Sequence, residues 1–225
     1  MGHMPLALIT GASKGIGAAI ARALAPSHRL LLGGRDADAL TALADELPDA
    51  EPLVAELTDP DAVAEAVAGI SSLDVLVHSA GVAPLGTVER ASRADWQRNF
   101  DVNVLAVVEL TRLLLPALRA ASGDVVLINS GAGHNARPGW GPYAASKFAL
   151  RAFGDVLRGE EPSLRVTSVH PGRTDTPMQQ RIVAGEGREY RGADFLRPES
   201  VAAAVLAAVT AGDDAHVTEV SIRPR

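Results

Sequence analysis

Tyr143 and Lys147 stand four residues apart in Tyr143-Ala144-Ala145-Ser146-Lys147, a spacing that makes them neighbours on one face of a helix. A cation beside a phenol favours the phenolate and draws its pKa down from about 10. Such a phenol can give or take a proton near neutral pH. Ser130 follows the apolar run Asp124-Val125-Val126-Leu127-Ile128, within Asn129-Ser130-Gly131. If that run is a strand of a parallel sheet, Ser130 lies at the edge where such sheets bind ligands. Its hydroxyl could there donate to a carbonyl oxygen on which charge develops. Each piece alone is common, since Tyr-x-x-x-Lys arises by chance and a serine after a strand often only caps a turn.

A second motif, Thr10-Gly11-Ala12-Ser13-Lys14-Gly15-Ile16-Gly17, joins a first apolar run to a helical stretch. Glycines there let the backbone turn sharply and approach a pyrophosphate, whose charge a helix N-terminus favours. The spacing is G-x-x-x-G-x-G rather than the usual G-x-G-x-x-G. A tight turn would explain the glycines as well, but their position at the first crossover favours a dinucleotide. Gly33-Gly34-Arg35-Asp36 ends the second apolar run. An acid there would hold a free ribose 2′-hydroxyl, whereas Arg35 suits a 2′-phosphate, with Lys14 adding positive charge. Asp36 competes for the first role but also reads as a helix N-cap. The balance favours NADP(H).

These groups must be positioned by strands at 6–9, 29–32, 53–54, 73–77, 124–128, 164–169 and 216–222. Helices are expected at about 15–25, 37–47, 60–69, 95–120, 143–158 and 199–211. The alternation implies right-handed crossovers and an α/β fold with a seven-stranded parallel sheet covered on both faces. Residues 173–197, charged and containing Gly185, Gly187 and Gly192, are the least regular and form a candidate substrate lid.

With 225 residues, 47% of them hydrophobic, one sizeable core is expected, over residues 5–225. Met1-Gly2-His3-Met4 reads as a cloning scar ending in a start methionine. A net charge of −6 argues against nucleic acid as the main partner. The absence of cysteine excludes disulfides and thiolate metal sites and is compatible with a cytoplasmic protein. No run of 18 apolar residues points to a membrane span.

Taken together, the motifs resemble the short, single-domain branch of the short-chain dehydrogenase/reductase family, from about Leu6 to Arg223. Gly11, Gly15 and Gly17 fall on that family's cofactor loop, and Ser130 precedes Tyr143 by the family's usual thirteen residues. The resemblance implies a single doubly wound domain of Rossmann type, and an oxidoreductase acting on a carbonyl or secondary alcohol. Tyr143 would exchange the proton, Ser130 polarise the carbonyl, and Lys147 lower the tyrosine pKa while binding the nicotinamide ribose. Asn103 would hold a water linking Lys147 to solvent. Ser13, Lys14, Ile16 and Arg35 would join the loop glycines around NADP(H). Glu56 and Leu57 would lie near the adenine, and Ser79, Ala80 and Gly81 along the cofactor. Pro171, Gly172, Thr174 and Thr176 would hold the carboxamide. No metal is needed, because the cofactor carries the chemistry. The resemblance also implies a homodimer or homotetramer through helices near 104–120 and 143–158.

Two positions depart from the family pattern: His78-Ser79 replaces Asn-Asn before Ala80-Gly81, and Glu56 replaces an aspartate. The alternatives are a non-catalytic nucleotide-binding sensor or scaffold of the same fold, and an NAD-preferring alcohol dehydrogenase. His134 and Trp140 lie where a substrate could pass, or are a loop histidine and a packing tryptophan. His170 reads as a strand-end residue and Trp96 as a core anchor. Arg173 would meet an anionic substrate or solvent.

Overall fold

Alternation along fully buried strands decides the layers. In the computed structural model, which describes residues 4–212 and 214–225, strand β1 (Leu6–Thr10) sends Ala7 and Ile9 to one face and Leu8 to the other. β4 (Val75–His78) and β5 (Asp124–Ile128) divide their side chains in the same way. One face packs Ile20 and Leu24 of α1 (Gly15–Leu24), Leu40 and Leu43 of α2 (Ala37–Asp45), and Val201 and Val205 of α8 (Pro198–Val209). The other packs α3 (Pro60–Val67), α5 (Ala106–Ala121) and α6 (Gly141–Glu160).

The remaining strands are β2 (Arg29–Gly34), β3 (Ala50–Val54), β6 (Arg165–Pro171) and β7 (Glu219–Ile222). Among the described residues all seven join one parallel sheet, in the order β3-β2-β1-β4-β5-β6-β7. The order reverses between β1 and β4, which opens a crevice at their C-terminal ends.

Three expectations need correction. The helix expected over 95–120 is divided: α4 (Arg93–Phe100) is followed by a π-turn over Asp101–Leu105 and then by α5. Residues 173–197 are more regular than expected, for they contain α7 (Pro177–Gly185), capped by Thr176. β3 begins earlier than the apolar pair at 53–54, because an edge strand tolerates exposed Glu51 and a proline at 52. Asp36 caps α2 as expected, accepting from Ala39 N at 3.1 Å. All of the expected scar except Met4 falls outside the described residues.

His78 ends the central strand β4 fully enclosed, and its Nε2 lies 2.9 Å from Thr111 Oγ1 on α5. The Thr111 hydroxyl donates to Val107 O at 2.8 Å, which leaves its oxygen to accept from the imidazole. Burial pulls the His78 pKa down to about 3, so the folded state keeps the ring neutral while an unfolded chain protonates it near 6.5. This contribution is complete above about pH 6.5 and is lost as the pH falls toward 3. His78→Asn should therefore flatten the acid limb of stability between about pH 6 and 4, by up to ~1.4 kcal/mol per pH unit. Urea unfolding across that range checks it, and parallel limbs for the two proteins would refute it.

Candidate active site

The loop from β1 to α1 is clipped to the loop after β4. Thr10 Oγ1 accepts from the backbone N of Ser79 and of Ala80, each at 3.1 Å. Gly11 has φ +66°, and a Cβ there would lie 2.8 Å from Ala80 Cα. At Gly17 a Cβ would stand 2.2 Å from Gly11 O, so α1 can approach the loop only without a side chain. Thr10 was quoted within the motif but not expected to have this role.

A cleft of about 1020 Å³ opens above the clip. It is lined by Gly11, Ser13, Lys14, Gly15, Ile16, Gly17, Arg35, Glu56, Leu57, Ser79, Ala80, Gly81 and Thr176, all of them expected from sequence. Lys14 is the N-cap of α1 and provides no side-chain cap. The first amides of that helix are left for another acceptor, which fits the pyrophosphate of a dinucleotide. Arg35, 66% exposed in its side chain, reaches Glu56 at 2.9 Å. Glu56 thus competes for the charge assigned to a 2′-phosphate.

Ile16 and Thr176 also line a second cavity of about 360 Å³, together with Ser130, Tyr143, Pro171, Gly172 and Thr174. Trp140 and Arg173 reach this cavity too, with the Arg173 guanidinium 5.8 Å from the indole centroid. His134 is not among its lining residues and instead packs at a tilt against His170. Trp96, expected as a core anchor, is only partly buried beside Gly141 at the start of α6 and joins none of the core clusters.

Ser130 Oγ accepts from Ala132 N at 3.1 Å, which leaves its hydrogen free to donate. Tyr143 is buried and interacts with the Ser130 hydroxyl. Burial pushes the phenol pKa up, and the Ser130 hydrogen bond offsets part of the rise. This corrects the expectation that Lys147 draws it down. Lys147 Nζ lies 5.8 Å from the Tyr143 ring centroid and donates instead to Ile128 O at 2.9 Å. Desolvation brings the Lys147 pKa down to about 8.

Asn103 sits in the π-turn, a local widening of the helix common at functional sites. Its Nδ2 donates to Val82 O and Ser146 Oγ, both at 3.0 Å, and its Oδ1 accepts from Val82 N at 2.9 Å. Asn129, too, escaped sequence reasoning. It accepts from Ser130 N at 2.8 Å and donates to Lys147 O at 3.1 Å, bracing both catalytic candidates. Its place directly before Ser130 was the available signal.

A doubly wound parallel sheet with a glycine turn in one cleft, a strand-end serine and a tyrosine in the cavity adjoining it, and a lysine four residues beyond that tyrosine defines a Rossmann-type oxidoreductase. A family model described as short chain dehydrogenase matches residues 5–187, and the chain belongs to the short-chain dehydrogenase/reductase family. It is 35% identical over 209 residues to serine 3-dehydrogenase of Agrobacterium fabrum, covering 87% of this chain and 84% of that protein. A 35% match over 236 residues to glycine betaine reductase of Emericella nidulans covers 98% of this chain but only 19% of that protein's length. Among solved structures, alcohol dehydrogenase from the archaeon Thermococcus sibiricus, complexed with 5-hydroxy-NADP, aligns with a TM-score of 0.90 at 29% identity. That alignment covers 99% of this chain and 97% of the other.

Proposed function

We propose that this chain is an NADP(H)-dependent carbonyl reductase or alcohol dehydrogenase. One arrangement carries the reading: Ser130 and Tyr143 line a cavity that adjoins the dinucleotide-sized cleft, with Lys147 one helical turn beyond Tyr143. A nicotinamide bound there would supply the hydride for a carbonyl carbon. Ser130 donates its hydrogen to the carbonyl oxygen, most strongly as that oxygen gains charge. Tyr143 gives up its proton as the alcohol forms, and takes it back in oxidation. A phenol held protonated by burial suits the reductive direction. Lys147 binds the nicotinamide ribose, and Asn103 steadies the path from Lys147 toward solvent. Pro171, Gly172, Thr174 and Thr176 hold the carboxamide.

Residues 173–197 act as the lid over the substrate. The segment is closed at its base by Leu196 N to Arg173 O at 2.9 Å and Asp175 N to Leu196 O at 2.7 Å. Inside it, Tyr190 bonds Asp175 and Arg173 pairs with Glu186. Among the described residues no helix is long and apolar enough to cross a membrane.

Catalysis is tested first. With a carbonyl compound that the unmutated protein reduces, Tyr143→Phe should cut turnover by at least ~10²-fold and leave NADPH binding intact. Near-normal turnover would remove Tyr143 from proton transfer. Tight NADPH binding with no turnover across a broad carbonyl and alcohol panel would favour the sensor reading.

Cofactor choice is tested next. The Arg35–Glu56 pair, which occupies the guanidinium, and Asp36, which also lines the cleft, favour the NAD-preferring alternative. A charge-assisted bond to a 2′-phosphate is worth roughly 1.5–3 kcal/mol, so Arg35→Ala should shrink the NADPH-over-NADH preference about 10-fold or more. Equal dissociation constants for both cofactors in the unmutated protein would reject the NADP(H) assignment.

Association follows from a stripe on α6, where Phe148, Ala152 and Val156 are exposed, with Leu105 exposed before α5. Two copies pairing these helices about a two-fold axis would cover it. Light scattering should give a dimeric or tetrameric mass at micromolar concentration, and a monomeric mass would contradict the pairing.

A further inference from the structure

Behind the Ser130 carbonyl, three residues far apart in sequence converge. His134 ends the short 3-10 turn after Ser130, His170 is the next-to-last residue of β6, and Glu219 opens β7. The two imidazole rings lie 4.0 Å apart between centroids. His134 Nε2 is 3.4 Å from Glu219 Oε1, and His170 Nε2 is 3.6 Å from Glu219 Oε2. The three donor atoms all lie within 4.8 Å of one another.

Both Nε2 atoms are buried, and neither makes a hydrogen bond. His170 has 0% exposure, so leaving a ring nitrogen there without a partner is costly. Its other nitrogen is committed. Nδ1 lies 3.1 Å from Ser130 O, which can only accept, so Nδ1 carries the proton and Nε2 presents a lone pair. An imidazole whose far N–H is anchored to a backbone carbonyl is oriented as metal-binding histidines are.

Two imidazole nitrogens and one carboxylate oxygen suit zinc and its neighbours, whereas calcium and magnesium demand mostly oxygen ligands. Tetrahedral bonds of about 2.0–2.1 Å place ligand atoms roughly 3.4 Å apart; His134 Nε2 meets that spacing at Oε1 and His170 Nε2 comes near it at Oε2, so the carboxylate turns a different oxygen toward each nitrogen. We infer that His134, His170 and Glu219 form a binding site for one divalent transition-metal ion of the zinc type.

Glu219, 43% exposed in its side chain, leaves a route for the ion and for a water as fourth ligand. Arg151 Nε, 3.9 Å from Glu219 Oε2, is the competing cation at the rim. The site lies off the reaction path and is not needed for hydride transfer. Its ion ties the turn that carries Ser130 to β6 and β7, so its effect falls on the placement and stability of that turn.

The test uses full-length protein freed of metal with a chelator. Cobalt(II) is titrated at about pH 7.5 and followed by its visible absorption, and zinc(II) by calorimetry, beside His134→Ala and Glu219→Gln. One ion per chain is expected, with each variant binding at least ~10-fold more weakly. Saturating zinc should also raise the thermal midpoint of the unmutated protein by several degrees and leave the variants nearly unmoved. Both substitutions fall on partly exposed side chains, and metal-free melting shows whether each variant is folded. His3, His28, His78 and His216 remain in both variants, so binding elsewhere would persist in them. Lack of saturable uptake in the unmutated protein would overturn the assignment, leaving a water-linked histidine–glutamate cluster. Equal affinity in both variants would overturn it too.

Discussion

Burying the Lys147 ammonium is the constraint around which the site is arranged. The side chain is only 4% exposed, and an unpartnered charge at such depth costs several kcal/mol. A backbone carbonyl at the end of β5 receives it, which fixes α6 against that strand end. Asn129 then grips the backbone of Lys147 and of Ser130 together, so the two groups cannot drift independently. The π-turn brings Asn103 to Ser146, one residue before the lysine, and the resulting polar knot is hydrogen-bonded throughout. Desolvation weakens the ammonium without neutralising it, since a pKa of about 8 leaves it mostly charged at neutral pH.

The opposite half of the cleft is built on the contrary principle, with side chains removed. Gly11 and Gly17 allow the first loop, the second loop and α1 to touch through backbone, and Thr10 stitches the two loops across the point where strand order reverses. Positive potential at the exposed start of α1 faces this gap. Polar satisfaction holds one end of the cleft and steric closeness the other. The doubly covered sheet supplies a floor stiff enough for both.

Most of this was legible because burial on both faces leaves a plain mark. Strand 124–128 was read with its observed bounds, since each of its residues is buried. The motif residues were legible because chemistry fixes their types. What was missed follows from weaker or non-local causes. An α-to-π change adds no distinct residue type, so Asp101–Leu105 read as ordinary helix. Helix α7 carries Arg181 and other exposed residues that hide its period, although Thr176 followed by Pro177 was an available start signal. The Tyr143 environment could not be inferred from a four-residue spacing, because its burial is a tertiary property. Nor could residues 134, 170 and 219 be joined in advance, as the turn after β5 and the parallel registers of β5, β6 and β7 together bring them near one another.

The chain between Asp175 and Phe195 leaves the body and returns to the same place, because Thr174 and Leu196 are bridged beside each other. A detour closed at its neck is nearly independent of what it encloses. Doubling the length of such a loop adds only about 0.6 kcal/mol of closure entropy. Insertions or deletions in its outer part, beyond α7, leave the sheet, the glycine turn and Tyr143 undisturbed, whereas Thr176 near the neck stays against Gly15. Selectivity can therefore diverge during descent from a common ancestor while the chemistry stays fixed. The same neck marks where a segment from another member could be grafted to give this scaffold a new repertoire.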